Sequence, residues 1–280
     1  MYPAQVGYYK PESLGEALDF LEKHESKIIA GGQSLIPMLK LRILNPKYLV
    51  DIGDLKELSF IREGDVISIG ATTRHSELVS KRLPGAEIIQ ETASKVGDVQ
   101  VRNMGTVGGS VSNADPSADY PAMFSALEAT MVIRSKAGTR EVNALDFFKG
   151  PFNTALGQSD ILEQVKVKPL RGYKQVYRKI VRRAGDFALV GLALVLKANA
   201  GVVEDVRIAF TGVSDKPYRA IKAEEALRGS KLDSSSISKA SEIAVEGVNP
   251  PSDSRGSSMY RKEVMKRLLR NTLEEMKDAS

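Results

Sequence analysis

Two glycine-containing segments carry most of the chemistry this sequence can offer. In Ala30-Gly31-Gly32-Gln33-Ser34-Leu35 the paired glycines remove the side chains that would block a close approach, so successive backbone N–H groups can form an anion-holding concavity. Ile29 lies in the short strand expected over 27–30. The Ser34 hydroxyl and the Gln33 amide can add hydrogen bonds, and a helix starting near Leu35 favours negative charge at its N-terminus. Thr106-Val107-Gly108-Gly109-Ser110 repeats this chemistry as a second glycine-rich loop, with hydroxyls at both ends and Asn113 close behind. Two such loops can clamp one diphosphate, although a Gly-Gly after a strand is by itself only a turn signal. Neither segment continues into the Gly-Lys-Ser/Thr of a Walker loop, and neither contains GxGxxG, which disfavours an ordinary ATP or nicotinamide site.

Longer runs surround these loops: AGGQSLIPMLKLR over 30–42, QVRNMGTVGGSVSNADPSADYP over 100–121, and YRKIVRRAGDFALVG over 177–191. With them the chain resembles, over nearly its whole length, the FAD-binding medium subunits and domains of xanthine dehydrogenase, carbon monoxide dehydrogenase and related aldehyde-oxidising molybdenum hydroxylases. The resemblance implies one non-covalent FAD on this chain. It also implies a molybdenum cofactor on a large partner subunit and [2Fe–2S] clusters on a small one, assembled as a dimer of heterotrimers. Electrons would then pass from the clusters through FAD to an external acceptor, with an aldehyde as the favoured substrate.

Carried over residue by residue, the resemblance implies that Ile29, Ala30, Gly31, Gly32, Gln33, Ser34 and Leu35, with Thr106, Val107, Gly108, Gly109, Ser110 and Asn113, line the diphosphate and adjoining parts of FAD. Asp119 would bind on the adenosine side, at ribose hydroxyls; its spacing alone makes it the N-cap of a helix over 119–129 with Pro121 just inside. Val96 and Leu162 match apolar positions in contact with the cofactor, and from pattern alone they are ordinary core residues. Lys179 would stabilise negative charge on the reduced flavin, with Arg178 next to it leaving the register open. Phe187 would cover the isoalloxazine ring, against the plain alternative of a core aromatic. Gln33 stands where many members have His or Thr, and Ser34 where some have Asp. With no cysteine and only His24 and His75 in the chain, covalent flavin is not expected. His24 reads as a helix-end residue and His75 as a polar helix-start residue, neither of them catalytic.

Composition narrows the classes further. The absence of cysteine removes disulfides, thiolate zinc sites and cysteine-ligated clusters from this polypeptide, so any metal centre belongs to another chain. A net charge of +5 over 280 residues, with both signs interleaved, suits a solvated surface and requires no nucleic acid. The basic run RKIVRR over 178–183 lacks the aromatic interleaving of a nucleic-acid platform. No run approaches the roughly 18 consecutive apolar residues of a membrane span, and the N-terminus shows no export or transit pattern, so the expected location is the cytoplasm.

The elements that must position these residues follow from periodicity. Ser13 and Glu16 have capping-box spacing ahead of Leu14, Ala17, Leu18 and Leu21, which predicts a helix over 13–24. Strands are expected over 27–30 and 48–51, with a helix over 35–41 between them. A hairpin is expected over 58–69, and helices over 74–80 and 85–95. A second hairpin over 131–142 and an alternating strand over 161–167 complete an FAD-binding domain of two subdomains, vanillyl-alcohol-oxidase-like, over 1–171. Residues 172–280 then read as a C-terminal domain: an antiparallel meander of strands over 174–182, 189–197 and 203–211, followed by helices over 220–227, 236–245 and 257–277. The fold class is α+β. Two rival readings are a self-sufficient flavin oxidoreductase carrying its own substrate cap, and a non-enzymatic module that binds a phosphate-bearing ligand.

Overall fold

The computed structural model describes residues 2–278. Helix Leu14–Lys23 begins where Ser13 Oγ accepts a hydrogen bond from the Glu16 N–H at 3.2 Å. It buries Leu14, Ala17, Leu18 and Leu21 against Val50 and Ile52. Each fully buried leucine of this kind contributes about 1.5–3 kcal/mol. Beneath the helix, strand Tyr48–Asp51 lies between Gly7–Tyr9 and Ser26–Ile29 in a parallel three-stranded sheet. The first glycine segment therefore emerges from the carboxyl end of a parallel strand, the usual ligand-facing end of such a sheet.

A five-stranded antiparallel sheet follows, in the order Ile61–Arg62, Ile67–Gly70, Ile161–Val167, Thr130–Ser135, Gly138–Asn143. Its inner face, through Ile69, Met131, Ile133 and Val165, meets Leu78, Ile89, Val111 and Phe124 from the adjoining helices in one core. Within this layer the second glycine segment departs from expectation. It is not a loop but the opening turns of helix Val107–Asn113, which follows helix Val99–Met104 almost without interruption. Helix Asp119–Ala126 also ends earlier than expected, with Glu128 at φ 50°.

The C-terminal part is a four-stranded antiparallel meander of Lys174–Ile180, Val190–Asn199, Val202–Thr211 and Tyr218–Arg219. Strand alternation gives this sheet two buried faces. Val176, Leu192, Leu194, Ile208 and Phe210 pack on the side of helices Ile221–Leu227, Ser234–Ile243 and Ser258–Asp278. Tyr177, Ala193, Val195 and Ala209 belong instead to the core of the five-stranded sheet and its helices. Small residues on that second face permit close docking. A Cβ on Gly191 would come within 2.5 Å of Tyr177 Oη, so glycine there leaves room for a tyrosine hydroxyl to reach across the junction.

Candidate functional site

A cleft of about 800 Å³ lies where these layers meet. That is within the range of roughly 300–1,000 Å³ usual for ligand cavities. Of the residues singled out from sequence, Ile29, Ala30, Gly31, Gly32, Gln33, Ser34, Leu35, Val96, Thr106, Gly108, Gly109, Ser110, Asn113, Asp119, Leu162, Lys179 and Phe187 all line it. Val107 does not: its side chain is fully buried in the core.

The first glycine segment leaves its backbone donors open to the cleft. The backbone N–H groups of Gly31, Gly32, Gln33 and Ser34 donate to no acceptor among the described residues, although all of these residues line the cleft. Consecutive unpaired amides cost free energy wherever water is excluded, which makes them a standing demand for an acceptor. Gly32 sits at φ +71°, where a side chain is strained. A Cβ on Gly31 would collide with the Met104 carbonyl oxygen and lie 2.6 Å from Gly105 Cα. The first segment is thus packed directly against the entrance to the second.

The second segment spends its amides internally. Thr106 is the N-cap, and its Oγ1 accepts from the Gly109 N–H at 3.1 Å. The Val107 N–H donates to the Thr73 carbonyl at 2.9 Å, that of Gly108 to Ala71 at 2.8 Å, and that of Ser110 to Thr106 at 3.0 Å. What it offers the cleft is the Ser110 hydroxyl, the Asn113 amide, the helix N-terminal dipole and a surface free of a side chain at Gly109.

Asp119 is not an N-cap. Ala118 holds that position, and Asp119 is the first helical residue, its side chain 4% exposed. Its Oδ1 accepts from Tyr177 Oη at 2.5 Å and its Oδ2 from Lys179 Nζ at 3.0 Å. Burial raises the carboxyl pKa above the usual carboxylate value, against the opposing pull of Lys179 and the Tyr177 hydroxyl. Burial together with Asp119 pushes the Tyr177 phenol well above its ordinary value, so it remains a donor. Lys179 Nζ also donates to the Lys95 carbonyl at 2.9 Å, which fixes an ammonium group at the cleft wall. Arg178, on the other face of the strand, pairs with Glu91 at 2.8 Å and Glu275 at 3.0 Å. Of the two adjacent cations, Lys179 lines the cleft and Arg178 does not.

The remaining wall is apolar and aromatic. Val96 ends helix Glu87–Lys95, where Arg102 donates to the Val96 and Gly97 carbonyls at 2.9 and 3.0 Å. Leu162 comes from the central strand of the five-stranded sheet. Phe187, 49% exposed, stands at the cleft on the turn between two strands of the meander, as a surface aromatic and not a core one. Sequence reasoning missed His75, Phe152, Asn153 and Thr154 as lining residues. Phe152 is held by its N–H on the Ala114 carbonyl, and Asn153–Thr154 is a two-residue strand paired with Phe148–Gly150, too short to leave a periodic signal. Among the described residues no group of three or more His, Cys, Asp or Glu could hold a metal ion, and no helix is long and apolar enough to cross a membrane.

Residues 4–169 match the FAD binding domain in molybdopterin dehydrogenase, and residues 175–276 match the CO dehydrogenase flavoprotein C-terminal domain. The chain belongs to the FAD-binding medium subunits of the molybdenum hydroxylases. It is 45% identical over 280 residues to the glyceraldehyde dehydrogenase medium chain of Sulfolobus acidocaldarius, covering 99% of this chain and 100% of the relative. It is 35% identical over 286 residues to the carbon monoxide dehydrogenase medium chain of Afipia carboxidovorans, covering 99% and 98%. Its structure superposes on that of reconstituted CO dehydrogenase from Oligotropha carboxidovorans with a TM-score of 0.96, at 34% identity and over 100% of both chains. Like other FAD-binding medium subunits, it is part of an oxidoreductase complex.

Proposed function

We propose that the cleft holds one FAD non-covalently, with its diphosphate on the free amides of Gly31–Ser34 and its flavin end toward Lys179 and Phe187. The run of unpaired backbone N–H groups inside a cleft of about 800 Å³ is the observation that carries this reading. Bound there, FAD would supply redox chemistry, receiving electrons from [2Fe–2S] clusters on a small partner subunit and yielding them to an external acceptor. This chain's own contribution is orientation and electrostatics. Gly31, Gly32, Gln33 and Ser34 fix the phosphates, Val96 and Leu162 exclude water, and Phe187 offers a ring face. Lys179 supplies a positive charge, held in place by Asp119 and the Lys95 carbonyl. Asp119 keeps unused lone pairs for a ribose hydroxyl.

In the same reading residues 1–171 form the FAD-binding domain and 172–280 the C-terminal domain. The complete assembly is a dimer of heterotrimers in the cytoplasm, with the molybdenum cofactor on the large subunit. The similarity to a glyceraldehyde dehydrogenase medium chain favours an aldehyde as the substrate oxidised there. Purification from the native source under mild conditions tests the whole reading. Acid-releasable FAD accompanied by molybdenum, iron and two partner chains is the expected result. FAD on a lone chain that reduces its own substrate would replace it with a self-sufficient flavoenzyme, and absence of flavin after reconstitution would remove both.

A further inference from the structure

His75 is the one imidazole in the cleft, and its environment leaves a single tautomer. The ring is 3% exposed, and its Nδ1 lies 3.0 Å from Tyr120 Oη. Tyr120 is fully buried, and among the described residues its hydroxyl has no other hydrogen-bond partner. Were Nδ1 protonated, the phenolic proton would be left without an acceptor inside the core, a cost that the alternative tautomer avoids. Tyr120 therefore donates to Nδ1, and the ring proton resides on Nε2. That nitrogen has no protein partner among the described residues, yet it is not among the buried side-chain atoms sealed without one, so it keeps some accessible surface, and His75 is one of the residues that line the cleft. A Cβ on Gly105 would sit 2.7 Å from Nε2, so glycine at 105 keeps this edge of the ring clear. Gly105 is also the residue against which Gly31 packs.

We propose that His75 is a phosphate-positioning residue: a neutral imidazole whose tautomer is set by Tyr120 and whose Nε2–H donates to an oxygen of the cofactor diphosphate, at the contact between the two glycine segments. The inference rests on the FAD reading of the cleft and adds to it a donor from a third element. Burial, assisted by the Arg102 charge, holds the imidazole pKa down to about 4, so the donor stays uncharged at neutral pH. The geometry suits a conformationally fixed hydrogen bond without a full ion pair.

Histidine-selective ¹⁵N labelling of the full chain tests this directly, because the sequence contains only two histidines and a His24→Gln variant assigns the remaining signals. In the flavin-free chain at pH 7, His75 is expected to show a protonated Nε2 and an unprotonated Nδ1. FAD and ADP should each move the Nε2 resonance, whereas riboflavin, which lacks the diphosphate, should leave it in place. His75→Gln, which keeps a donor at a similar reach, should retain FAD affinity to within about threefold. His75→Leu should lose about 10- to 100-fold, the range expected for a hydrogen bond to a charged group. A protonated Nδ1, or an Nε2 signal unmoved while FAD binds, overturns the inference even if His75→Leu is merely unstable. A wild-type chain that takes up no FAD overturns the cofactor reading and this inference with it.

Discussion

The two glycine segments have nearly the same composition and meet at Gly31 and Gly105, yet they are different devices. The first is an open concavity whose amides have no acceptors among the described residues. The second is a capped helix start whose amides already have theirs. In the first, glycine serves ligand access and a backbone angle; in the second, Gly108 serves packing, since a Cβ there would collide with that of Ala71. Similar sequence therefore divides into one segment whose amides stand open and one that braces, and substitutions at the two should separate cleanly.

The largest expected effect is at Gly31. Gly31→Ala forces a methyl onto backbone atoms of residues 104 and 105, which cannot retreat as a side chain would. FAD affinity is expected to fall by about 1,000-fold, or about 4 kcal/mol, in a flavin fluorescence titration. If affinity survives, the first segment does not hold the diphosphate.

The next effect is on stability against acid and arises at His75, beneath the second segment. Its pKa is depressed on folding, so the stability it contributes is complete above the unfolded value of 6.5 and is lost as pH falls through about 4. The loss is about 3 kcal/mol at most, read as a falling Tm across that window. A His75→Gln variant should flatten that part of the curve.

Gly108→Ala should cost about 2 kcal/mol of folding stability by overpacking in denaturant melts. The FAD affinity of the folded fraction should change little. Smallest is Thr106→Ala, which removes the side-chain cap and should cost about 1 kcal/mol, with Thr106→Ser restoring most of it. An equal effect of both second-segment variants on FAD affinity would erase the distinction between binding and bracing.

Much of this division could not be seen in sequence, for identifiable reasons. Periodic elements were legible: the helix carrying Leu14, Ala17, Leu18 and Leu21, the hairpins and the meander all occur, because local pattern and burial agree there. Boundaries moved where a cap outranked periodicity, as at Asp233, whose Oδ1 accepts from the Ser236 N–H at 2.9 Å and starts a helix at Ser234 instead of Ser236. Gly-Gly-Ser reads as a loop because its helix propensity is poor, and the distant Thr73 and Ala71 carbonyls, together with the Thr106 cap, hold it helical. Asp119 reads as a cap because Asp before Tyr-Pro suits one. The partner that redirects it is Tyr177, 58 residues away in sequence. His75 had no motif to announce it, since its role depends on Tyr120 across the core.

The Asp119–Lys179 pair also bears on when, during synthesis, the site comes into being. Asp119 is translated 60 residues before the lysine that neutralises it. At about 5–20 residues per second, several seconds pass in which the nascent N-terminal half carries a carboxylate with no counter-charge and a cleft missing one wall. The incomplete half has reason to stay loose until the meander arrives, and the arriving strand brings Tyr177 and Lys179 together. Flavin loading then belongs to the close of translation. A chain stopped at residue 171 should accordingly retain little FAD and show weak amide protection around residue 119 in hydrogen exchange.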